Sequence, residues 1–226
     1  MPIKIMIDKI CEHTFIKKLI KNNSIVLDLG ANRGEFSKTI SEKFGCKVYA
    51  VEPVPRLFEL IEETAFVKKV LAAAASKSGI LDIYLPEDEC ATTYNKKRGV
   101  NEKSIKVEAF SLGDLMRKFG INKIDLIKMD IEGEEIPILE SLEPEELRKI
   151  NQWTIEFHDF LYPEMHKAVE DIKRKISSSG FFCIPFSITN NGDVLFIKKG
   201  SISFLTFIYL KYFLRYLLGF IRKLKK

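Results

Sequence analysis

Short apolar runs recur along this chain between stretches of helical spacing, and that alternation restricts the fold more than any other feature. Residues 24–29 (SIVLDL), 47–51 (KVYAV), 67–74 (VKKVLAAA), 124–129 (IDLIKM) and 152–157 (QWTIEF) read as strands. Continuous apolar runs of this length suit strands buried on both faces. Residues 34–44, a segment from about Pro55, residues 111–119 and residues 163–179 read as helices. Pro55 is well placed in a first turn, Ser111 is a plausible N-cap with Asp114 three residues on, and Gly180 marks an end. Residues 80–85 and 105–110 are strand-like. Residues 181–185 and 194–198 make a last pair, joined through the Asn-Asn-Gly turn at 190–192. Strands alternating with helices predict a Rossmann-like α/β domain, with a mostly parallel sheet covered by helices on both faces. In such sheets ligands bind outside the carboxyl ends of the strands, so the residues just after each strand carry the functional argument.

A chain of 226 residues accommodates one such domain, expected over residues 24–199. Residues 1–23 alternate charged and apolar residues without an uninterrupted apolar core. They are expected to be a short helix packed through Met6, Ile10, Phe15, Leu19 and Ile20 rather than a secretory signal. The net charge of +5 is unevenly placed: from Gly200 onward there are six bases and no acid, which leaves the first 199 residues at −1. A near-neutral body argues against a broad nucleic-acid-binding face. Cys11, Cys46, Cys90 and Cys183 are scattered without metal-ligand spacing, so reduced thiols in a cytosolic compartment are expected.

The first strand runs into Asp28-Leu-Gly-Ala-Asn-Arg-Gly34. Gly30 and Gly34 permit a tight turn and close approach of backbone to a ligand, and the helix that follows offers free N–H groups. The spacing is not that of a dinucleotide fingerprint, and an acid at Asp28 would repel a pyrophosphate. A cationic ligand suits it better. Glu52, after the second strand, stands where a carboxylate can hold ribose hydroxyls. Together these acids point to a nucleoside ligand with a positive end.

The segments VLDLGANRGEFS, VYAVEPVPRLF, IDLIKMDIEGEE and IEFH together resemble the FkbM family of S-adenosylmethionine (SAM)-dependent methyltransferases over residues 24–198. The block Lys128 to Glu135 (KMDIEGEE) is the most specific part. The resemblance implies a class I methyltransferase fold, SAM as cofactor, and O-methylation of sugars or other hydroxylated molecules. It also implies that Asp28, Gly30, Asn32 and Gly34 line the methionine end of SAM. Glu52, followed by Pro53, would hold the ribose, and Ala73 or Ala74 would lie near the adenine.

For the reaction centre, Asp130 and Glu132 follow the fourth strand, and Glu156 and His158 end the fifth. If those strands are neighbours, the four groups converge. A sugar hydroxyl is a poor nucleophile, and a general base adds roughly 10²–10⁴-fold. His158, with an unperturbed pKa of about 6.5, is the first candidate, and Asp130 and Glu156 are the others. The bland alternatives are a Glu132–Lys128 pair and helix-start acids at Glu134 and Glu135. A carboxylate cluster of Asp130, Glu132 and Glu156 is an alternative holder of a divalent cation, but no spacing demands it, and no metal is expected. His13 and His166 are expected on helices in structural or solvated roles. The polar stretch 86–104, with Thr92, Thr93, Tyr94, Lys96, Lys97 and Arg98, reads as a loop, either solvated or closing over the site.

Residues 201–226 stand apart. On a helix, Lys211, Arg215 and Arg222 fall within about 40° of one another, with aromatic and aliphatic residues around the rest. The uncharged run is too short to span a bilayer, which takes about 20 residues. An interfacial helix on the cytoplasmic face of the cell membrane is the expectation, and a helix docked on the domain or on a second subunit is the alternative. The chain's partners are then a small-molecule or glycan acceptor and a membrane surface, with no nucleic acid. Rival readings are an N-methyltransferase of nucleic acid or protein, and a non-catalytic SAM- or nucleotide-binding module. Against the first, Asp130-Ile131-Glu132-Gly133 replaces the [N/D]-P-P-[Y/F] sequence expected after strand four.

Overall fold

The computed structural model describes residues 6–85, 103–187 and 190–214. Strands form where the apolar runs predict them: β3 (Ile25–Leu29), β4 (Lys47–Glu52), β5 (Val67–Leu71), β9 (Leu126–Met129) and β10 (Gln152–Ile155). They pair in parallel in the order β10-β9-β3-β4-β5. β11 (Phe181–Pro185) and β12 (Val194–Lys198) extend the sheet, with β12 antiparallel to both of its neighbours. From β3 the chain first builds outward through β4 and β5, then returns to place β9 and β10 on the other side. This reversal makes the carboxyl ends of β3 and β9 the topological switch point of a doubly wound sheet.

Helices α1 (Glu35–Phe44), α2 (Pro55–Phe58), α3 (Leu112–Lys118), α4 (Glu135–Ser141), α5 (Pro144–Arg148) and α6 (His166–Ser178) connect the strands. The Ser111 hydroxyl caps α3 by accepting from the Asp114 N–H, and Pro55 opens α2. Two large clusters of fully buried side chains cover the sheet. One is centred on Trp153, Leu115 and Phe157, the other on Phe15, Ile40 and Val26.

Three expectations change. The third apolar run breaks at Ala72: β6 (Ala73–Ala74) leaves the main sheet and pairs with β8 (Lys103–Phe110), which pairs with β7 (Gly79–Leu85) in a separate three-stranded sheet. The helix expected before residue 23 is a hairpin, β1 (Ile7–Ile10) and β2 (His13–Ile16), followed by a single 3₁₀ turn. Its two turn residues, Cys11 and Glu12, both have positive φ, the twist that a two-residue hairpin needs. The hairpin is fastened to the domain from behind. Asp193 accepts from the Thr14 backbone N–H and hydroxyl at 3.1 and 2.7 Å, and Gln152 accepts from the Ile16 N–H at 2.9 Å.

The third change is at residues 201–214. Helix α7 (Phe204–Ile208), capped by Ser203, widens into a π-helical turn over Tyr209–Leu214. Leu210 and Leu214 are buried with Ile184, Phe186, Leu195 and Ile197, and Phe207 stacks on Phe182 at 4.3 Å. Residues 201–214 are therefore docked on the domain through one side, with Phe204, Leu205, Tyr212 and Phe213 exposed on the other. No helix among the described residues is long and apolar enough to cross a membrane. Arg215, Arg222 and the final lysines lie outside the described residues, as do Cys90 and the polar stretch from Thr92 to Arg98.

Candidate active site

A crevice of about 690 Å³, open to solvent, lies at the switch point. One end is apolar, walled by Leu57, Ala73, Ala74, Leu81 and Ile83. β7 supplies the last two, so the small sheet forms a wall of the site. The other end is acidic, with Asp130, Glu132 and Glu134. Gly30, Asn32, Glu52 and Pro53 lie along the crevice.

Gly30 is required by close approach. A Cβ there would come within 1.9 Å of the Asp130 carbonyl oxygen, and its φ is +76°. Asn32 takes a left-handed conformation that asparagine tolerates, with φ 52°. That conformation aims its N–H at Glu52, 2.8 Å from Oε2, while the Val54 N–H donates to Oε1 at 2.9 Å. Each carboxylate oxygen keeps capacity for one further donor. Burial pushes Glu52 up to about 7, against these two N–H groups and the Lys128 charge.

Two of the residues expected around SAM do not face the crevice. Asp28 is fully buried, accepts from the Ser37 hydroxyl at 2.7 Å, and is matched by Lys128 at 3.3 Å. The two residues are register partners on β3 and β9, which explains their meeting. Asp28 thus braces the floor, and the acids that disfavour a pyrophosphate are those at the crevice's acidic end. Gly34 opens α1 with φ +80°, packed against Ile61.

At the acidic end, β9 and β10 are indeed neighbours, and the expected groups converge. His158 Nε2 lies 3.7 Å from Asp130 and 3.3 Å from Glu132, and its Nδ1 is 3.2 Å from Glu135. Glu135 is more than a helix-start acid. It is fully buried and also accepts from the Ile131 and Gly133 N–H groups, each at 3.0 Å. It thereby fixes the turn in which Glu132 adopts φ 54°. Lys128, read as a partner for Glu132, instead donates to the Gly30 carbonyl at 2.6 Å and pairs with Asp28 and Asp130.

Burial lowers the basicity of His158, but Glu135, Glu132 and Asp130 outweigh it and raise the pKa to about 9. The imidazole is therefore charged at neutral pH in the cofactor-free protein, which suits it to positioning carboxylates rather than to accepting a proton. For Asp130 burial acts upward, and the neighbouring His13 ring at 3.7 Å together with the charges of Lys128 and His158 hold it well below the usual carboxylate range. Glu156 is the opposite case: burial, then the charge of Asp130, raise it. His13 is the residue that sequence reasoning misplaced. On β2 rather than a helix, it is buried with Nε2 3.7 Å from Asp130. His166 is solvent-exposed and pairs with Asp159.

The match to known proteins agrees with this geometry. The family described as Methyltransferase FkbM domain matches residues 28–183. The chain belongs to the FkbM methyltransferase family. This chain is accordingly a SAM-dependent methyltransferase with the class I fold. It is 24% identical over 199 residues to the "Methyltransferase sdnD" of Sordaria araneosa, covering 71% of this chain and 77% of that protein. Among solved structures it is similar to a putative methyltransferase from an antibiotic biosynthesis pathway of Anabaena variabilis. There the identity is 12%, the coverage 76% of this chain and 64% of that one, and the TM-score 0.37. It is also similar to Aeropyrum pernix fibrillarin with natively bound SAM, at 10% identity, 80% and 67% coverage and TM-score 0.45. At those scores the two structures carry no argument about the acceptor.

The residues present fit SAM. The apolar end suits the adenine, Glu52 has free acceptor capacity for ribose hydroxyls, and the acidic end suits the ammonium and sulfonium charges.

Proposed function

We propose that this methyltransferase O-methylates a sugar or other small hydroxylated acceptor at the cytoplasmic face of the cell membrane. The observation that carries the reading is the acidic end of the crevice, where the lining residue Asp130 has beside it Glu156, a half-buried carboxylate of raised pKa. SAM supplies a methyl group activated by its positive sulfur. The chain's own residues then have a limited set of tasks. Gly30, Asn32 and Glu52 hold the nucleoside, and Asp130, Glu132 and Glu134 favour the charged end. His158, kept cationic by Glu135, holds Asp130 and Glu132 in place. Glu156 accepts the acceptor's hydroxyl proton, because its raised pKa makes it a better base than Asp130, which Lys128 and His158 hold ionised. A mouth lined by acids also favours a neutral, hydroxylated acceptor over a polyphosphate chain.

Membrane contact is the second part of the proposal. Phe204, Leu205, Tyr212 and Phe213 are exposed on the outer side of the docked helix, and six bases follow Gly200. Apolar side chains beside clustered bases favour an anionic membrane surface. Flotation with vesicles tests it: the protein should rise with anionic vesicles, and Leu205→Asp with Phe213→Asp should abolish this. Equal recovery of wild type and double variant contradicts membrane contact.

Labelled SAM offered with neutral saccharides and lipid-linked glycans tests the chemistry. The expected product is a methyl ether, identified by NMR. Glu156→Gln should lower kcat roughly 10²-fold or more while SAM affinity changes little. A product methylated on nitrogen, or full turnover in Glu156→Gln, contradicts the reading.

A further inference from the structure

The hairpin, packed through β2 on β10 and β12, brings His13 to the acids that follow β9 and β10, an arrangement that nucleoside binding does not require. His13, Asp130 and Glu156 each offer one ligand atom, and these atoms all lie within 4.8 Å of one another. Atoms bound about 2.1 Å from a common ion sit roughly 3–4.2 Å apart. The 3.7 Å between His13 Nε2 and Asp130 Oδ2 falls in that range, and it is too long for a hydrogen bond.

Two further observations favour a ligand here. The other ring nitrogen of His13 faces the buried Thr154 hydroxyl at 3.4 Å, which orients the ring and leaves Nε2 for the cluster. Ligating histidines are commonly held in this way by a partner on their second nitrogen. The Glu156 side chain, in addition, makes no hydrogen bond or ion pair among the described residues, so one carboxylate stands beside Asp130 without its own cation. Lys128 is shared by Asp28, the Gly30 carbonyl and Asp130, and His158 by Glu135, Glu132 and Asp130, so neither is a partner of Glu156.

We propose that His13, Asp130 and Glu156 bind one divalent cation of the Mn²⁺ or Mg²⁺ class at the acidic end of the crevice. One imidazole and two carboxylates suit Mn²⁺ best, and three protein ligands leave positions open. The proposal rests on the methyltransferase reading for its use. An acceptor hydroxyl in an open position loses its proton more readily. That proton goes to the second oxygen of Glu156, and the acceptor oxygen keeps the electron pair. The oxygen then bonds to the methyl carbon of SAM as the carbon–sulfur bond breaks, its electron pair staying on sulfur. The products are a methyl ether and S-adenosylhomocysteine.

The test uses the full chain titrated with Mn²⁺, with free ion measured by electron paramagnetic resonance and bound ion by pulsed detection of nitrogen coupling. One ion per chain is expected at micromolar concentration, with a nitrogen signal. His13→Gln should lose the signal and bind at least roughly ten-fold more weakly. Glu156→Gln should also bind weakly, whereas His158→Gln should keep the nitrogen signal. No binding below millimolar Mn²⁺, or binding indifferent to His13→Gln, overturns the proposal. So does a nitrogen signal that disappears only in His158→Gln, which would put the ion on Asp130, Glu132 and His158. SAM titration of the same samples confirms folding of each variant. SAM binding in a wild type that takes up no Mn²⁺ would reject the ion site alone, while loss of SAM binding in the wild type would reject the methyltransferase reading.

Discussion

Glu52 and Glu135 are both buried acids, and their surroundings give them different tasks. Glu135 is spent on structure: two backbone N–H groups and His158 converge on it. Glu135→Ala should cost about 3–5 kcal/mol, the usual effect of removing one partner from a buried ion pair, read as a lower urea midpoint. Glu52 keeps acceptor capacity facing the crevice, and burial raises it from 4.5 to about 7. Between those values the folded state binds more protons than the unfolded, so Glu52 makes the cofactor-free protein less stable as pH rises from the acid range through about 7. Ligand binding needs the carboxylate, so nucleoside affinity should rise over the same interval. Subtracting Glu52→Gln data from wild type should isolate both slopes, and parallel pH profiles in the two proteins would contradict this role. The place of Glu52 along the crevice was legible in the sequence because position after a strand is a local property. Asp28 was not, since its partner Lys128 is distant in sequence and only sheet register brings them together.

At the scale of elements, strands buried on both faces were readable because burial writes a continuous apolar run. The hairpin at β1 and β2 was hidden by its turn. Cys11 and Glu12 adopt positive φ without the Asn-Gly or Asp-Gly sequence that usually announces it, and apolar spacing there imitates a helix. With the hairpin mistaken for a helix, His13 could not be placed beside Asp130. The docked segment after Gly200 makes a prediction of its own. Leu210 is buried among Ile184, Leu195 and Ile197, whereas Leu205 is exposed. Leu210→Ala should destabilise the protein by about 2–5 kcal/mol, and Leu205→Ala should change stability by less than about 0.5 kcal/mol. Equal, small effects on the thermal midpoint would mean that the helix is not part of the fold.

For the whole molecule, the order β11-β12-β10-β9-β3-β4-β5 fixes where a ligand binds. Reversal of strand order opens a crevice at the ends of β3 and β9, and the small sheet of β6, β7 and β8 closes one side with Leu81 and Ile83. Alternating apolar runs were enough to foresee this sheet. The small sheet's role as a wall was not foreseeable, because it depends on the chain leaving the main sheet at Ala72. A crevice apolar at one end and acidic at the other distinguishes an adenosyl sulfonium from a dinucleotide by charge. Calorimetric titration of the full chain with SAM, S-adenosylhomocysteine and NAD, alongside Glu52→Ala, tests that central claim most directly. The two adenosyl ligands should bind at micromolar concentration, NAD should not, and Glu52→Ala should lose at least roughly ten-fold in affinity, a change of about 1.4 kcal/mol. Preferential binding of NAD, or adenosyl binding indifferent to Glu52→Ala, would contradict the account.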